Sequence, residues 1–227
     1  MSKLWTFGDS FTDFYKPPAD SKVHWRHKYI EWKGYVPKVY GEFLAENLNM
    51  DLINKGAGGC DNLHILEQFC KVCDQIKKDD VVIFGWTSPV RFRLANRGNQ
   101  WGFFNPEVKN KNGFFAHKSL DSFDFLTEKT IQELMFNRDS DLYVIEINNW
   151  LNLINLCLKD VHHFHWTWYK TLQNENIFKP NQYKTIKNET NGFVDDGHWC
   201  EDGHREFADL LAEKLFKNKP GITKKLL

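Results

Sequence analysis

Gly8-Asp9-Ser10 closes a short apolar run, Leu4 to Phe7, and leaves a hydroxyl where a strand gives way to a turn. A serine hydroxyl is nearly inert at neutral pH unless a base takes its proton. A base stands at the other end of the chain, in Asp195-Asp196-Gly197-His198, ahead of Gly203-His204 and an apolar helical stretch. Asp195 precedes His198 by three residues, close enough in a turn to accept the imidazole N–H, fix its tautomer and stabilise the imidazolium. Asp196 is its rival. With two residues to His198 its carboxylate is expected to be too near to wrap back comfortably, so Asp195 is the expected orienting residue. Asp9 is expected to organise its own turn rather than to join the chemistry.

Acyl transfer also needs donors for the oxyanion of a tetrahedral intermediate. The chain offers the backbone amide of Ser10 and that of Gly59, in the glycine-dense turn Lys55-Gly56-Ala57-Gly58-Gly59-Cys60. It also offers a hydroxyl from Thr87 or Ser88 in Gly85-Trp86-Thr87-Ser88-Pro89.

The elements around these segments explain how they could meet. Asp51 to Asn54 reads as a second short strand and the run from Asp80 to Phe84 as a buried parallel strand. Val161 to Thr167 reads as another. Helical spacing appears from Gly34 to Asn47, from the glycine turn to about Lys78, from Ser122 to Leu158 with a break near Asp139-Ser140, and from Glu201 to Phe216. Strands alternating with helices predict a parallel sheet covered on both faces, which places ligands at the carboxyl edge of its strands. Tyr15 to Lys33 reads as a loop. Long loop insertions are expected at about 90–119 and 171–193 within one domain spanning 1–227, and loops of that length in compact domains are usually lids or binding loops.

With those residues in place the chain resembles the SGNH, or GDSL-type, hydrolase family. The resemblance rests on Gly8-Asp9-Ser10 near the start, Asn54-Lys55-Gly56-Ala57-Gly58-Gly59 after the second strand, and Asp195-x-x-His198 with Gly203-His204 before the last helix. It implies a flavodoxin-like, three-layer α/β/α sandwich and ester hydrolysis without a cofactor or metal. Carried over, Ser10 is the nucleophile, Gly59 a backbone oxyanion donor, and Asp195 and His198 complete the triad. One block departs. The family places an Asn in a Gly-x-Asn-Asp pattern after the third strand, where this chain has Gly85-Trp86-Thr87-Ser88, so a shorter hydroxyl would have to replace an amide. The Trp-Thr-Ser form followed by Arg91 is similar to divergent members from bacteriophages.

Composition excludes several other classes. Lys plus Arg and Asp plus Glu number 30 each in 227 residues, so no global field draws the chain to nucleic acid or anionic lipid. It holds no apolar run long enough to span a membrane and shows no secretion signal. Its five cysteines, an odd number, fit reduced thiols in a cytoplasm better than a disulfide framework. Cys70 and Cys73 lack a second pair for zinc and are expected to be buried and inert. His162, His163 and His165 are expected to pack at a strand end, with no carboxylates at a matching spacing for a metal. Asp202 and His204 are expected to cap or buttress the last helix. The expected partner is a small-molecule or carbohydrate ester. A non-catalytic glycan- or protein-binding module on the same fold, or an acyltransferase sharing the site, are the alternatives.

Overall fold

The structure, a computed structural model, describes residues 2–15, 24–89, 91–95, 101–110, 113–116, 140–169 and 174–218. In chain order the elements are β1 (Lys3–Gly8), α1 (Trp25–Lys33), α2 (Tyr40–Leu48), β2 (Asp51–Asn54), α3 (Asn62–Cys70), β3 (Val81–Trp86), β4 (Phe92–Ala95), β5 (Trp101–Asn110), β6 (Gly113–Ala116), α4 (Ser140–Cys157), β7 (His162–Thr167), α5 (Ile186–Glu189) and α6 (Glu201–Asn218). A 3₁₀ turn, Cys73–Gln75, follows α3.

β2, β1, β3 and β7 lie side by side in that order, all parallel. Every residue of β3 is buried, as the continuous apolar run requires of a strand covered on both faces. Successive side chains then serve two different cores. Leu4, Val81 and Ile83 pack with Phe43 and Leu44 of α2 and with Phe207, Leu211 and Leu215 of α6. Trp5, Phe7, Val82, Phe84 and Trp86 pack with Ile65 and Phe69 of α3 and with Ile147, Leu151 and Ile154 of α4. The result is the expected three-layer α/β/α sandwich, with the ends of β1 and β3 in register at Gly8 and Gly85.

Four expectations need correction. The stretch read as loop to Lys33 contains α1, whose sequence lacks an apolar period because only Arg26 and Tyr29 on it are buried. The 90–119 segment is no structureless loop where described: β4, β5 and β6 form a separate antiparallel sheet. In the 171–193 segment, Phe178 adds one rung to the outer edge of β7, donating its N–H to His165 and accepting that of Thr167, both at 2.9 Å, and α5 follows. Cys70 is exposed and Cys73 half-buried rather than enclosed. The first part of the helical stretch expected from Ser122 lies outside the described residues, and α4 begins at Ser140. Among the described residues no helix is long and apolar enough to cross a membrane.

A third, smaller cluster holds the two ends of the chain together at the carboxyl edge. Tyr15, Tyr29 and Val39 pack with Ile186, Val194 and Cys200, with Trp25 against them. The Tyr15 hydroxyl donates to the Trp199 carbonyl at 2.8 Å, and the Glu201 N–H donates to the Tyr29 hydroxyl at 3.1 Å. Segments almost two hundred residues apart in sequence are thereby fixed against one another.

Candidate active site

The turn after β1 is held by Asp9. Its backbone carbonyl accepts the N–H groups of Thr12 and Asp13, both at 2.9 Å, and its Oδ1 accepts that of Phe11 at 3.1 Å. Its Oδ2 takes three more donors: Thr87 Oγ1 at 2.7 Å, Trp168 Nε1 at 2.9 Å and Arg91 Nη1 at 3.1 Å. Asp9 is 1% exposed, and a buried carboxylate of this kind persists only when paired and fully hydrogen-bonded. It organises its own turn, as expected, and also ties that turn to the segments that follow β3 and β7.

This turn presents Ser10 to His198. Ser10 Oγ lies 2.6 Å from His198 Nε2, and His198 Nδ1 lies 2.6 Å from Oδ1 of Asp196. A carboxylate can only accept, so Nδ1 donates, and in the neutral ring that leaves the Nε2 lone pair facing the serine hydroxyl. The carboxylate is therefore not that of Asp195. Asp195 faces outward, 78% exposed at its side chain, and pairs with Lys187 at 2.7 Å. The short spacing is what makes Asp196 suitable. Its Oδ1 also accepts the backbone N–H of His198 at 2.8 Å, the side-chain-to-backbone turn, two residues on, that aspartate favours. Burial pushes the Asp196 carboxyl up, but the hydrogen bond and the attraction of His198 outweigh it and hold the group below the usual carboxylate range. The loop is further pinned through α5: Ile186 N–H donates to the His198 carbonyl at 2.9 Å and Lys187 N–H to the Asp196 carbonyl at 3.0 Å.

The imidazole is also held by its faces. Trp25, the first residue of α1, stacks on one side at 4.6 Å between centroids and 17° between planes. Phe11, next to the serine, covers it at 4.7 Å and 33°.

The glycine turn approaches the same edge. Ala57 N–H donates to the Gly8 carbonyl at 2.9 Å, and Gly58 N–H to Asp13 Oδ2 at 3.2 Å. The same Asp13 oxygen accepts Arg26 Nη1 at 2.9 Å, so one carboxylate joins this turn to α1. Gly59 adopts φ +75°, a left-handed conformation that glycine enters without strain. The amides of Ser10 and Gly59 meet no acceptor among the described residues.

The two hydroxyls after β3 differ in their engagement. Thr87 Oγ1 is committed to Asp9, while its backbone N–H and carbonyl are clamped by the side chain of Asn62 at 2.8 and 3.0 Å. Ser88 Oγ is enclosed and has no partner among the described residues. Of the two, only the Thr87 hydroxyl is already committed as a donor among the described residues. Asp196, weighed in the sequence only as a rival, stands where Asp195 was expected, and Trp25, Phe11, Asp13 and Arg91 are additions that sequence reasoning did not place at the site. Only Arg91, close after Ser88, carried a signal of its own.

One group of metal-type side chains converges among the described residues, with ligand atoms of Glu189, Cys200 and Asp202 within 4.8 Å of one another. Glu189 already accepts from Lys33 at 2.8 Å and from Tyr29, so its charge is matched inside the protein. His204 lies behind the site, fully buried, with Nδ1 accepting the Tyr40 N–H at 3.3 Å. It buttresses the last helix against α2, as expected.

No family model and no curated protein matches the chain. Among solved structures it is similar to a protein of the G-D-S-L family from Desulfitobacterium hafniense DCB-2 described as lipolytic, at 10% identity and a TM-score of 0.35, over 94% of this chain and 99% of that one. It is also similar to a lipase/acylhydrolase from Enterococcus faecalis, at 14% identity and a TM-score of 0.38, over 100% of both chains.

Proposed function

We propose that this chain is a serine-dependent ester hydrolase acting on small-molecule or carbohydrate acyl esters. The observation that carries the reading is the continuous line from Asp196 through His198 to Ser10, 2.6 Å at each junction. His198 takes the Ser10 proton as Oγ attacks the acyl carbonyl, and Asp196 stabilises the imidazolium that results. The oxyanion is met by the backbone amides of Ser10 and Gly59, which have no other use among the described residues. The imidazolium then protonates the leaving alkoxide, giving an acyl-Ser10 ester and the free alcohol. Water, deprotonated by His198, attacks that ester and releases the acid. An acceptor alcohol that outcompeted water would make the same site an acyltransferase.

With no amide side chain after β3 and the Thr87 hydroxyl committed to Asp9, turnover is expected to be slow, since one oxyanion donor is worth about 10²–10³ in rate. The test is intact mass spectrometry after fluorophosphonate treatment of the wild type, Ser10→Ala and His198→Ala, alongside p-nitrophenyl acetate hydrolysis. A single adduct on the wild type, absent from both variants, is expected. No adduct under conditions that label a control esterase overturns the reading in favour of a binding module.

A further inference from the structure

A hydrogen bond at one ring nitrogen does not fix an imidazole. With Nδ1 tied to Asp196, the His198 ring can still turn about that bond, and such a turn carries Nε2 away from Ser10. Holding the plane requires ring contacts as well, and His198 has two, Trp25 stacked at 17° and Phe11 tilted at 33°. The stack continues outward. His24 lies against Trp25 at 5.6 Å and 28°, Trp168 against Phe11 at 5.5 Å and 31°, and the Arg91 guanidinium sits 5.4 Å from the Trp168 ring.

The two flanking rings are not equivalent. Phe11 belongs to the nucleophile's own turn and moves with Ser10. Trp25 reaches the imidazole from a separate element, which Arg26 ties to Asp13 of that turn and Lys33 and Tyr29 tie to Glu189. The Arg26 side chain in this pair is only 8% exposed. Both flanking aromatic faces are negative and also favour the imidazolium that forms as Ser10 gives up its proton.

We infer that Trp25 is a positioning residue for the base, holding the His198 ring in the plane where Nε2 meets Ser10 Oγ. This rests on the ester-hydrolase reading for its catalytic consequence, but the restraint on the ring is a separate property and is read separately. A nucleophile–base pair displaced by about 1 Å loses rate on the order of 10²-fold.

The experiment compares the rate of fluorophosphonate labelling of Ser10 in the wild type, Trp25→Phe, Trp25→Leu and Trp25→Ala, with thermal midpoints measured on each. Trp25→Phe keeps a flat ring and is expected to label within about threefold of wild type. Trp25→Leu and Trp25→Ala are expected to label at least about tenfold more slowly while remaining folded. The His198 ring nitrogens are followed in parallel by ¹⁵N NMR, expected to show one tautomer with the proton on Nδ1 in the wild type and a mixture in Trp25→Ala or, if that variant does not fold, in Trp25→Leu. Wild-type labelling rates in both non-aromatic variants overturn the inference. If the wild type does not label at all, the hydrolase reading fails, and the NMR arm decides the inference alone: His198 signals unchanged by loss of the indole overturn it.

Discussion

Asp196 and His198 are two residues apart, and one oxygen of the aspartate serves the histidine twice, accepting its backbone N–H at 2.8 Å and its ring Nδ1–H at 2.6 Å. The backbone bond sets where the carboxylate sits, and the ring bond then follows from the geometry of the turn. A three-residue spacing forms no such turn here, and Asp195 is left to a solvent-exposed pair with Lys187.

Asp196→Asn is accordingly expected to slow labelling of Ser10 by about 10²–10⁴-fold, because an amide in that place stabilises the wrong tautomer and no imidazolium. Asp195→Asn removes one exposed ion pair, worth less than about 1 kcal/mol, and is expected to leave the labelling rate within about twofold. Labelling kinetics on the two single variants decide the assignment. A slow Asp195→Asn beside a normal Asp196→Asn would reverse it.

Gly56 gives a test of the glycine turn. A Cβ there would stand 2.5 Å from the Asp13 nitrogen and 2.7 Å from the Thr12 carbonyl carbon, both backbone atoms that cannot swing aside. Gly56→Ala is therefore expected to cost about 2 kcal/mol or more and to push the turn off the Asp13 carboxylate. A Cβ on Gly197, next to His198, would meet nothing within 4 Å, so Gly197→Ala is expected to be neutral. Urea denaturation of both variants provides the comparison, and equal midpoints would contradict it.

The hydroxyls after β3 separate structure from chemistry. Thr87→Val keeps the shape but takes one donor from the buried Asp9 carboxylate, an expected loss of about 1–3 kcal/mol. Ser88→Ala removes an enclosed hydroxyl that has no partner among the described residues, so stability is expected to hold and labelling to stay within about twofold. A loss of about 10²-fold on Ser88→Ala would instead make that hydroxyl an oxyanion donor.

These cases also show which parts of the molecule were readable in advance. β1, β2 and β3 carry short apolar runs that end in turn residues, so the sheet edge and the segments holding Ser10, Gly59 and His198 could be placed from local pattern. α1 could not, because it buries only Arg26 and Tyr29 and its remaining partners are ion pairs and ring contacts to distant segments. The choice between Asp195 and Asp196 depends on one backbone turn, which residue spacing alone misjudged. Thr87 looked available as a donor until the fold brought Asp9 to its hydroxyl and Asn62 to its backbone, contacts 78 and 25 residues apart in sequence.

Two buried histidines make stability depend on pH. His165 Nδ1 accepts the Trp86 indole N–H at 3.2 Å, and His204 Nδ1 accepts the Tyr40 N–H. A proton added at Nδ1 would set two donors against each other. Burial, with a smaller contribution from His163 or His198 respectively, pushes each down to about 3. In the unfolded chain each binds a proton near the ordinary value of about 6.5. Between those limits the unfolded state holds more protons, so stability rises with pH and is lost as pH falls from about 6.5 towards 3. The loss reaches up to about 2 kcal/mol per histidine by pH 5. The depressed Asp196 carboxyl acts in a different window: its contribution is present above the ordinary carboxylate range and is lost only as pH falls through and below that range. Urea midpoints at pH 7 and pH 5 therefore read the histidines apart from Asp196. The wild type is expected to weaken between them, and His165→Gln and His204→Gln each to remove part of that slope, whatever they cost at pH 7. Equal stability of the wild type at the two pH values would mean that these rings take up protons in the folded protein.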